Sequence, residues 1–162
     1  MSANLFDPHF DAENDVPGFR WRRARLGRQA GAERLGASLF ELEPGEATFP
    51  YHAHTANEEL LVVVAGRPSL RTPAGWREFE PGEAVSFPRG EAGAHQVANR
   101  SDETARVLII SEMNAPEVNL YPDTGRVGAM RRAPGSPGQG GVWFFRPHEA
   151  GDYWEGEEPP GR

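Results

Sequence analysis

Three histidines and one glutamate are spaced along the sequence so that they could bind one metal ion together. His52 and His54 are separated by a single residue, Glu59 follows shortly after them, and His95 comes later in the chain. Three imidazoles and one carboxylate suit Fe, Mn, Ni, Co or Zn better than they suit Ca or Mg. We therefore predict a site for one divalent transition metal, with octahedral positions left open for water or substrate.

A strand geometry would bring these ligands together. Residues i and i+2 of a strand point to the same face, so His52 and His54 would present their imidazoles side by side. Glu59 opens the next apolar run and comes level with the two histidines if its strand is their antiparallel neighbour. The same alternation places Leu61 and Val63 inside the protein. We expect the other two histidines, His9 and His148, to lie in solvated loops.

Turn residues recur about every ten positions through the middle of the chain, and short runs rich in Val, Leu, Phe and Ile lie between them. Short strands at that spacing are typical of an all-β sandwich or barrel. The expected strands cover residues 19–26, 37–42, 48–54, 59–65, 69–72, 76–79, 84–87, 95–99, 106–111 and 142–146.

Two segments resemble the paired motifs of the cupin superfamily. The first family motif is G-x5-HxH-x3,4-E-x6-G, and residues 45–66 follow it with six instead of five residues after Gly45. The second is G-x5-PxG-x2-H-x3-N, and residues 82–99 follow it with four instead of two residues between Gly90 and His95. The resemblance covers about half of the chain and is to compact, single-domain bacterial cupins.

The resemblance implies an all-β fold, a single cupin barrel of the double-stranded β-helix or jelly-roll type with N- and C-terminal extensions. We expect an N-terminal arm over residues 1–18 and the barrel over residues 19–129. A Pro/Gly-rich loop and an aromatic C-terminal extension, packing on the barrel or on a partner subunit, would follow over residues 130–162. Carried over onto the matching positions, the resemblance implies the metal ligands His52, His54, Glu59 and His95.

One predicted strand has no polar face. Residues 60–65 are apolar at every position, and such a strand is covered on both sides. One face would meet the barrel interior, and the other would meet the N-terminal strand or a second subunit. We therefore expect a homodimer, with the N-terminal cover as the alternative.

The resemblance implies a small-molecule substrate or ligand without fixing one reaction. A metal-dependent isomerase or epimerase of a sugar or sugar phosphate, a dioxygenase and a lyase remain open, as do a non-catalytic binding or sensing module and a structural role. Substrate-pocket candidates are Tyr51, Leu61, Val63, Phe87 and Asn99, with Phe49 as a further wall residue. Tyr51 and Tyr121 are conceivable acid or base groups. Candidates for binding a phosphate are Arg67, Arg71 and Arg89.

The composition excludes several kinds of site. The chain has no cysteine, which excludes disulfides and thiolate chemistry, and its 17 basic residues are all arginines, which excludes a lysine Schiff base. A net charge of −7 argues against a nucleic-acid partner. Because we find no secretory signal and no apolar run of about 20 residues, we expect a cytoplasmic protein without a membrane partner.

Overall fold

The computed structural model describes residues 1–134, 141–149 and 151–158. It contains one short helix, α1 (Leu26–Ala30), and two 3-10 turns, Glu91–Gly93 and Pro147–Glu149. No helix within the described residues is long and apolar enough to cross a membrane. The strands are β1 (Ala12–Asn14), β2 (Trp21–Ala24), β3 (Leu35–Leu42), β4 (Ala53–His54), β5 (Glu59–Ala65), β6 (Ser69–Thr72), β7 (Gly75–Glu78), β8 (Ala84–Phe87), β9 (Gln96–Ala98), β10 (Ala105–Glu112), β11 (Glu117–Tyr121), β12 (Arg126–Met130) and β13 (Val142–Phe145).

One layer of the fold is a six-stranded sheet with the order β1-β2-β3-β10-β5-β8, in which all neighbours are antiparallel. The central strand β10 alternates buried and half-buried residues along its whole length. This period of two turns Val107, Ile109 and Ser111 to the interior and leaves Arg106 on the outer face.

The second layer combines a four-stranded sheet, β13-β12-β11-β4, with a three-stranded sheet, β7-β6-β9. The segment before β4 joins the two sheets through isolated bridges, Ala47 with Ala98 and His52 with His95. Two antiparallel layers packed face to face form a jelly roll, so the predicted all-β jelly-roll fold is confirmed.

The antiparallel pairing that would bring Glu59 level with the histidines within one sheet does not form. β4 pairs with β11, whereas β5 pairs with β10 and β8. Residues 55–58 therefore cross from one layer to the other, and Glu59 meets the histidines across the interior of the sandwich. The predicted strand over 48–54 is regular only at Ala53–His54.

The main core lies between the layers, beside the predicted ligands. Leu61 and Val63 are each 1% exposed and pack in this core. Because side chains alternate along β5, they share the inner face with Glu59. Fully burying a side chain of this size contributes roughly 1.5–3 kcal/mol. Other members of the core are Phe40, Leu42, Leu70, Phe79, Phe87, Val97, Val107 and Ile109.

The N-terminal arm covers part of the outer face of the six-stranded sheet. Leu5 and Phe10 pack there in a cluster with Val64 and Leu108. Leu60, at the other end of the same apolar strand, remains 38% exposed. The arm thus provides much of the cover that the apolar strand requires.

The predicted C-terminal extension adds β13 to the edge of the four-stranded sheet through pairing with β12. Residues 135–140, which make up much of the predicted Pro/Gly-rich loop, lie outside the described residues. The aromatic side chains of β13 stay 43–51% exposed.

Candidate metal centre

The fold brings the four predicted ligands together in the interior. His54 belongs to β4, Glu59 begins β5, and His95 immediately precedes β9. His52 and His95 are fixed opposite each other by two backbone hydrogen bonds, from His52 N to His95 O at 3.1 Å and from His95 N to His52 O at 2.8 Å. All four side chains are buried, with relative exposures of 2–7%.

The side-chain ends of these residues converge on one another. His52 Nε2 and His54 Nε2 are 3.1 Å apart. Glu59 Oε2 lies 3.5 Å from His54 Nε2 and 3.3 Å from His95 Nε2. Three ring nitrogens and one carboxylate oxygen thus form a single cluster.

Backbone carbonyls orient two of the imidazoles. His52 Nδ1 lies 2.8 Å from the Pro50 carbonyl oxygen, and His95 Nδ1 lies 2.9 Å from that of Gly93. Because a carbonyl only accepts, these contacts assign the proton to each Nδ1 and leave a lone pair on each Nε2. The segment between Gly90 and His95 is two residues longer than in the family motif. It forms the 3-10 turn Glu91–Gly93, which supplies one of these carbonyls.

The third imidazole faces a buried carboxylate that the sequence analysis did not single out. Glu117 Oε2 lies 3.4 Å from His54 Nδ1, a contact too poorly aligned to count as a hydrogen bond. Glu117 is 0% exposed and accepts hydrogen bonds from the backbone N–H groups of Thr55, Ala56 and Val118. A carboxylate behind a histidine orients the ring and raises its basicity.

Burial and the neighbouring charges set the proton affinities of the cluster. Burial and the nearby imidazoles of His95 and His54 lower the pKa of His52 to about 3. Burial alone would lower the pKa of His54. The carboxylates of Glu117 and Glu59 outweigh this effect, so the pKa of His54 is raised. Burial alone would raise the pKa of Glu59, yet the imidazoles of His95, His54 and His52 around its carboxylate lower it to about 2.

The donor set fits a transition metal although the side chains touch one another. Within the described residues, no group of three or more His, Cys, Asp or Glu side chains is already arranged to hold a metal ion. Adjacent ligands at roughly 2.1 Å from an ion lie about 3.0 Å apart, close to the 3.1–3.5 Å found within the cluster. The four residues could therefore hold a divalent ion after small rotations, and their role as ligands stays a prediction.

A cavity of about 240 Å³ adjoins the cluster and includes all four residues in its lining. Its wall is mostly apolar, with a few polar groups, which is the usual composition of a small-molecule site. Other lining residues are Phe40, Phe49, Ile109 and Met113, together with Arg23, Ser38, Ser111 and Tyr121.

The five substrate-pocket candidates from the sequence lie outside this lining. Leu61 and Val63 pack in the core, and Phe87 stacks on the back of His95 with ring centroids 3.8 Å apart. Asn99 donates to the carbonyls of Leu42 and Glu103. Tyr51 is buried below the guanidinium of Arg71, at 4.0 Å.

The three arginines considered for phosphate binding are also outside the cavity lining. Each forms an ion pair on the surface instead: Arg67 with Glu80, Arg71 with Asp123, and Arg89 with Glu112. Arg23 is the arginine that lines the cavity. It precedes both motifs, and no sequence pattern marked it.

The family profile described as the cupin domain matches residues 38–111. The chain contains a cupin domain. Both motif segments contribute to that range, and so do all four converging residues. A comparison with curated proteins found no match.

Solved structures with the same cupin fold include two that cover most of the chain. A proposed sugar phosphate isomerase from Acidithiobacillus ferrooxidans is 25% identical, with a TM-score of 0.74 and 86% of each chain covered. A sugar phosphate isomerase of the cupin superfamily from Silicibacter pomeroyi is 24% identical, with a TM-score of 0.78, and the match covers 93% of this chain and 95% of that one. A predicted oxalate decarboxylase from Thermotoga maritima is 13% identical, with a TM-score of 0.56, and the match covers 69% and 98% of the two chains.

Proposed function

We propose that this cupin is a metal-dependent enzyme that acts on a small molecule, of the isomerase or epimerase type. The observation that carries the proposal is the convergence of three imidazole Nε2 atoms and the Glu59 carboxylate beside a cavity. Residues that act only as structural support have no need to turn their electron pairs toward one another.

A proton or a metal ion is needed to stabilise this arrangement. The lone pairs on His52 Nε2 and His95 Nε2 point toward His54 and Glu59, where only a proton or a metal ion can relieve their repulsion. With no metal bound, a proton between His52 Nε2 and His54 Nε2, which are 3.1 Å apart, would take this place. A divalent ion with His52, His54, Glu59 and His95 as ligands would take the same place.

A bound divalent ion would supply Lewis-acid chemistry, stabilising negative charge on a substrate oxygen. The protein itself would bind and orient the substrate between the apolar walls formed by residues such as Phe49. Tyr121, whose ring stacks on His52 with centroids 6.1 Å apart, lines the cavity and is the candidate for moving a proton. The hydroxyls of Ser38 and Ser111 line the same cavity and could hold substrate hydroxyl groups.

The isomerase type is favoured by the similarity to the Acidithiobacillus ferrooxidans protein, which is described as a proposed sugar phosphate isomerase and is 25% identical over 86% of this chain. The oxalate decarboxylase at 13% identity bears on the fold alone. Isomerisation moves a proton within one substrate, which requires charge stabilisation and a proton carrier but no oxidant.

The first test measures the metal content of the full chain. We expect about one equivalent of a transition metal in the wild type and none in the double variant His52→Ala, Glu59→Ala. The double variant should keep the wild-type circular dichroism spectrum, because the core beside the site is large. His9→Ala serves as the matched control, since His9 is exposed. An equal metal content in the double variant and in the wild type would contradict the proposal.

The second test separates the reaction types. We expect metal-loaded protein to isomerise a member of a sugar phosphate panel in the absence of oxygen. The reaction is measured through the exchange of substrate protons with deuterated water. Oxygen consumption with Fe(II) would indicate the dioxygenase type instead. Full metal content without turnover across the panel would indicate a module that binds or senses a small ligand.

A further inference from the structure

Arg23 differs from its neighbours because its guanidinium has no carboxylate partner within the described residues. Its Nε is buried there without a hydrogen-bond acceptor. On the same stretch of chain, Arg22 is paired with Glu41. Arg25 is paired with Asp11. A buried donor without an acceptor is costly, so the position of Arg23 suggests that a ligand supplies the missing acceptor.

The side chain of Arg23 is held at one wall of the cavity. On β2, Arg23 pairs with Phe40 of β3. Its guanidinium carbon lies 5.8 Å from the Phe40 ring centroid and 5.4 Å from that of Trp21. These cation–π contacts satisfy the faces of the guanidinium and leave its in-plane N–H groups for an anion.

A row of aromatic rings connects Arg23 with the histidine cluster. The ring centroids of Phe40 and Phe49 are 5.5 Å apart, and those of Phe49 and His52 are 5.9 Å apart. The cavity of about 240 Å³ is smaller than the roughly 300–1,000 Å³ of pockets for drug-sized ligands. One small molecule could therefore contact Arg23 at one end and the histidines at the other.

The charges around the cavity favour an anion with two negative charges. Among the described residues of the lining, Arg23 is the one guanidinium and Glu59 is the one carboxylate. With a divalent ion at the histidines, two positive charges would remain in excess. Burial and the nearby guanidinium groups of Arg25 and Arg132 lower the pKa of Arg23, with Asp11 acting in the opposite direction. Positive potential is thus concentrated at this wall.

We propose that Arg23 binds the phosphate group of a small phosphomonoester whose other end faces the histidine cluster. The orientation of that other end rests on the function proposed above, whereas the phosphate contact does not. A guanidinium donates two parallel N–H bonds to two phosphate oxygens, a geometry that lysine or histidine cannot provide. Of the chain's own arginines, Arg67, Arg71 and Arg89 are excluded from this role by their surface ion pairs.

The test measures binding of inorganic phosphate to the full chain by calorimetry, with and without metal. We expect Arg23→Gln to weaken phosphate binding at least about tenfold, since a charged hydrogen bond is lost. Arg22→Gln is the matched control from the same strand, and it should bind phosphate like the wild type. Equal phosphate affinity of Arg23→Gln and the wild type would overturn the proposal.

A second measurement needs no variant that might misfold. In the nitrogen–proton spectrum of the wild type, phosphate should shift the Nε–H resonance of Arg23 and leave that of Arg22 in place. An unshifted Arg23 resonance at saturating phosphate would overturn the proposal. Acetate that binds as tightly as phosphate would overturn the choice of a phosphomonoester.

The metal content of the same samples separates this proposal from the proposed function. Normal metal content together with lost phosphate binding in Arg23→Gln would support the assignment of Arg23. Phosphate binding through Arg23 in a protein that retains no metal would support the same assignment and overturn the metal-dependent function alone.

Discussion

At the scale of single residues, Glu117 makes buried contacts that its position in the sequence does not suggest. Its carboxylate accepts three backbone N–H groups and a hydrogen bond from Asn57, and it lies behind His54. Burial alone would raise the pKa of Glu117, yet His54 and these donors lower it to about 2. The ionised form of Glu117 is therefore favoured by folding.

This shift predicts how stability depends on pH in the metal-free protein. Because the folded pKa of Glu117 is lowered from 4.5 to about 2, its contribution to stability is present above pH 4.5 and is lost as the pH falls toward 2. A shift of that size corresponds to roughly 3 kcal/mol at neutral pH. We expect Glu117→Gln to lower the free energy of unfolding by about this amount at pH 7, with a difference from the wild type that shrinks below pH 4.5.

Urea unfolding of chelator-treated protein at several pH values measures this effect. Glu58→Gln is the matched control, because Glu58 is an exposed glutamate in the loop whose backbone donates to Glu117, and it should leave the free energy of unfolding nearly unchanged. A Glu117→Gln variant that is as stable as the wild type at pH 7 would refute the role of the charge.

At the scale of elements, the 3-10 turn before His95 positions a ligand by close packing. A Cβ added at Gly93 would lie 1.8 Å from the Pro88 carbonyl oxygen. The turn must therefore move if Gly93 is replaced, and the carbonyl that orients His95 moves with it.

We expect Gly93→Ala to cost about 3 kcal/mol or more in stability, since the clash is with backbone, and to weaken metal retention. Gly82→Ala is the matched control from another turn, where φ is +91° but an added Cβ meets no atom within 4 Å. It should cost only about 1–2 kcal/mol for the left-handed backbone and leave the metal content unchanged. Equal losses in the two variants would show that packing at Gly93 does not matter.

The sequence predicted those elements whose signals are local. β5, β6 and β8 begin and end where their apolar runs meet turn residues, and their predicted bounds match the structure. The predicted strand over 48–54 is interrupted because Pro50 has no N–H to donate to a ladder. β11 and β12 were missed, since their mixed polar residues give only a weak alternation.

In the candidate site, too, the residues with local sequence signals could be predicted and those placed by strand pairing could not. The converging residues could be predicted because they lie in two short motifs with fixed spacing. In the cavity wall, Phe49 and Tyr121 could be named from the sequence, but Arg23 could not, since it reaches the site through the pairing of β2 with β3. Glu117 lies behind His54 through the pairing of β11 with β4 and could not be predicted either. Both contacts depend on which strands become neighbours, and no spacing within either segment contains that information.

At the scale of the whole molecule, the aromatic edge strand β13 predicts association of two chains. β13 ends its sheet, with no partner strand on its outer side among the described residues. Trp143 and Phe145, which point to one side of this strand, are 50% and 43% exposed. An exposed apolar edge of this kind favours self-association.

We expect analytical ultracentrifugation to find a homodimer for the wild type and a monomer for the double variant Trp143→Ser, Phe145→Ser. Phe6→Ser is the matched control, because Phe6 is an aromatic residue of the N-terminal arm and is 80% exposed. A wild type that stays monomeric at all concentrations would contradict the predicted dimer.

The strand that contributes Arg23 precedes the segment matched by the family profile. The roles proposed for Arg23 and for the four converging residues place phosphate recognition and metal retention in separate stretches of the gene. A change in the leading stretch alone could then redirect the protein to a new substrate while its reactive centre stays intact. Chimeras that exchange the first 34 residues between such proteins would be an economical route to altered selectivity.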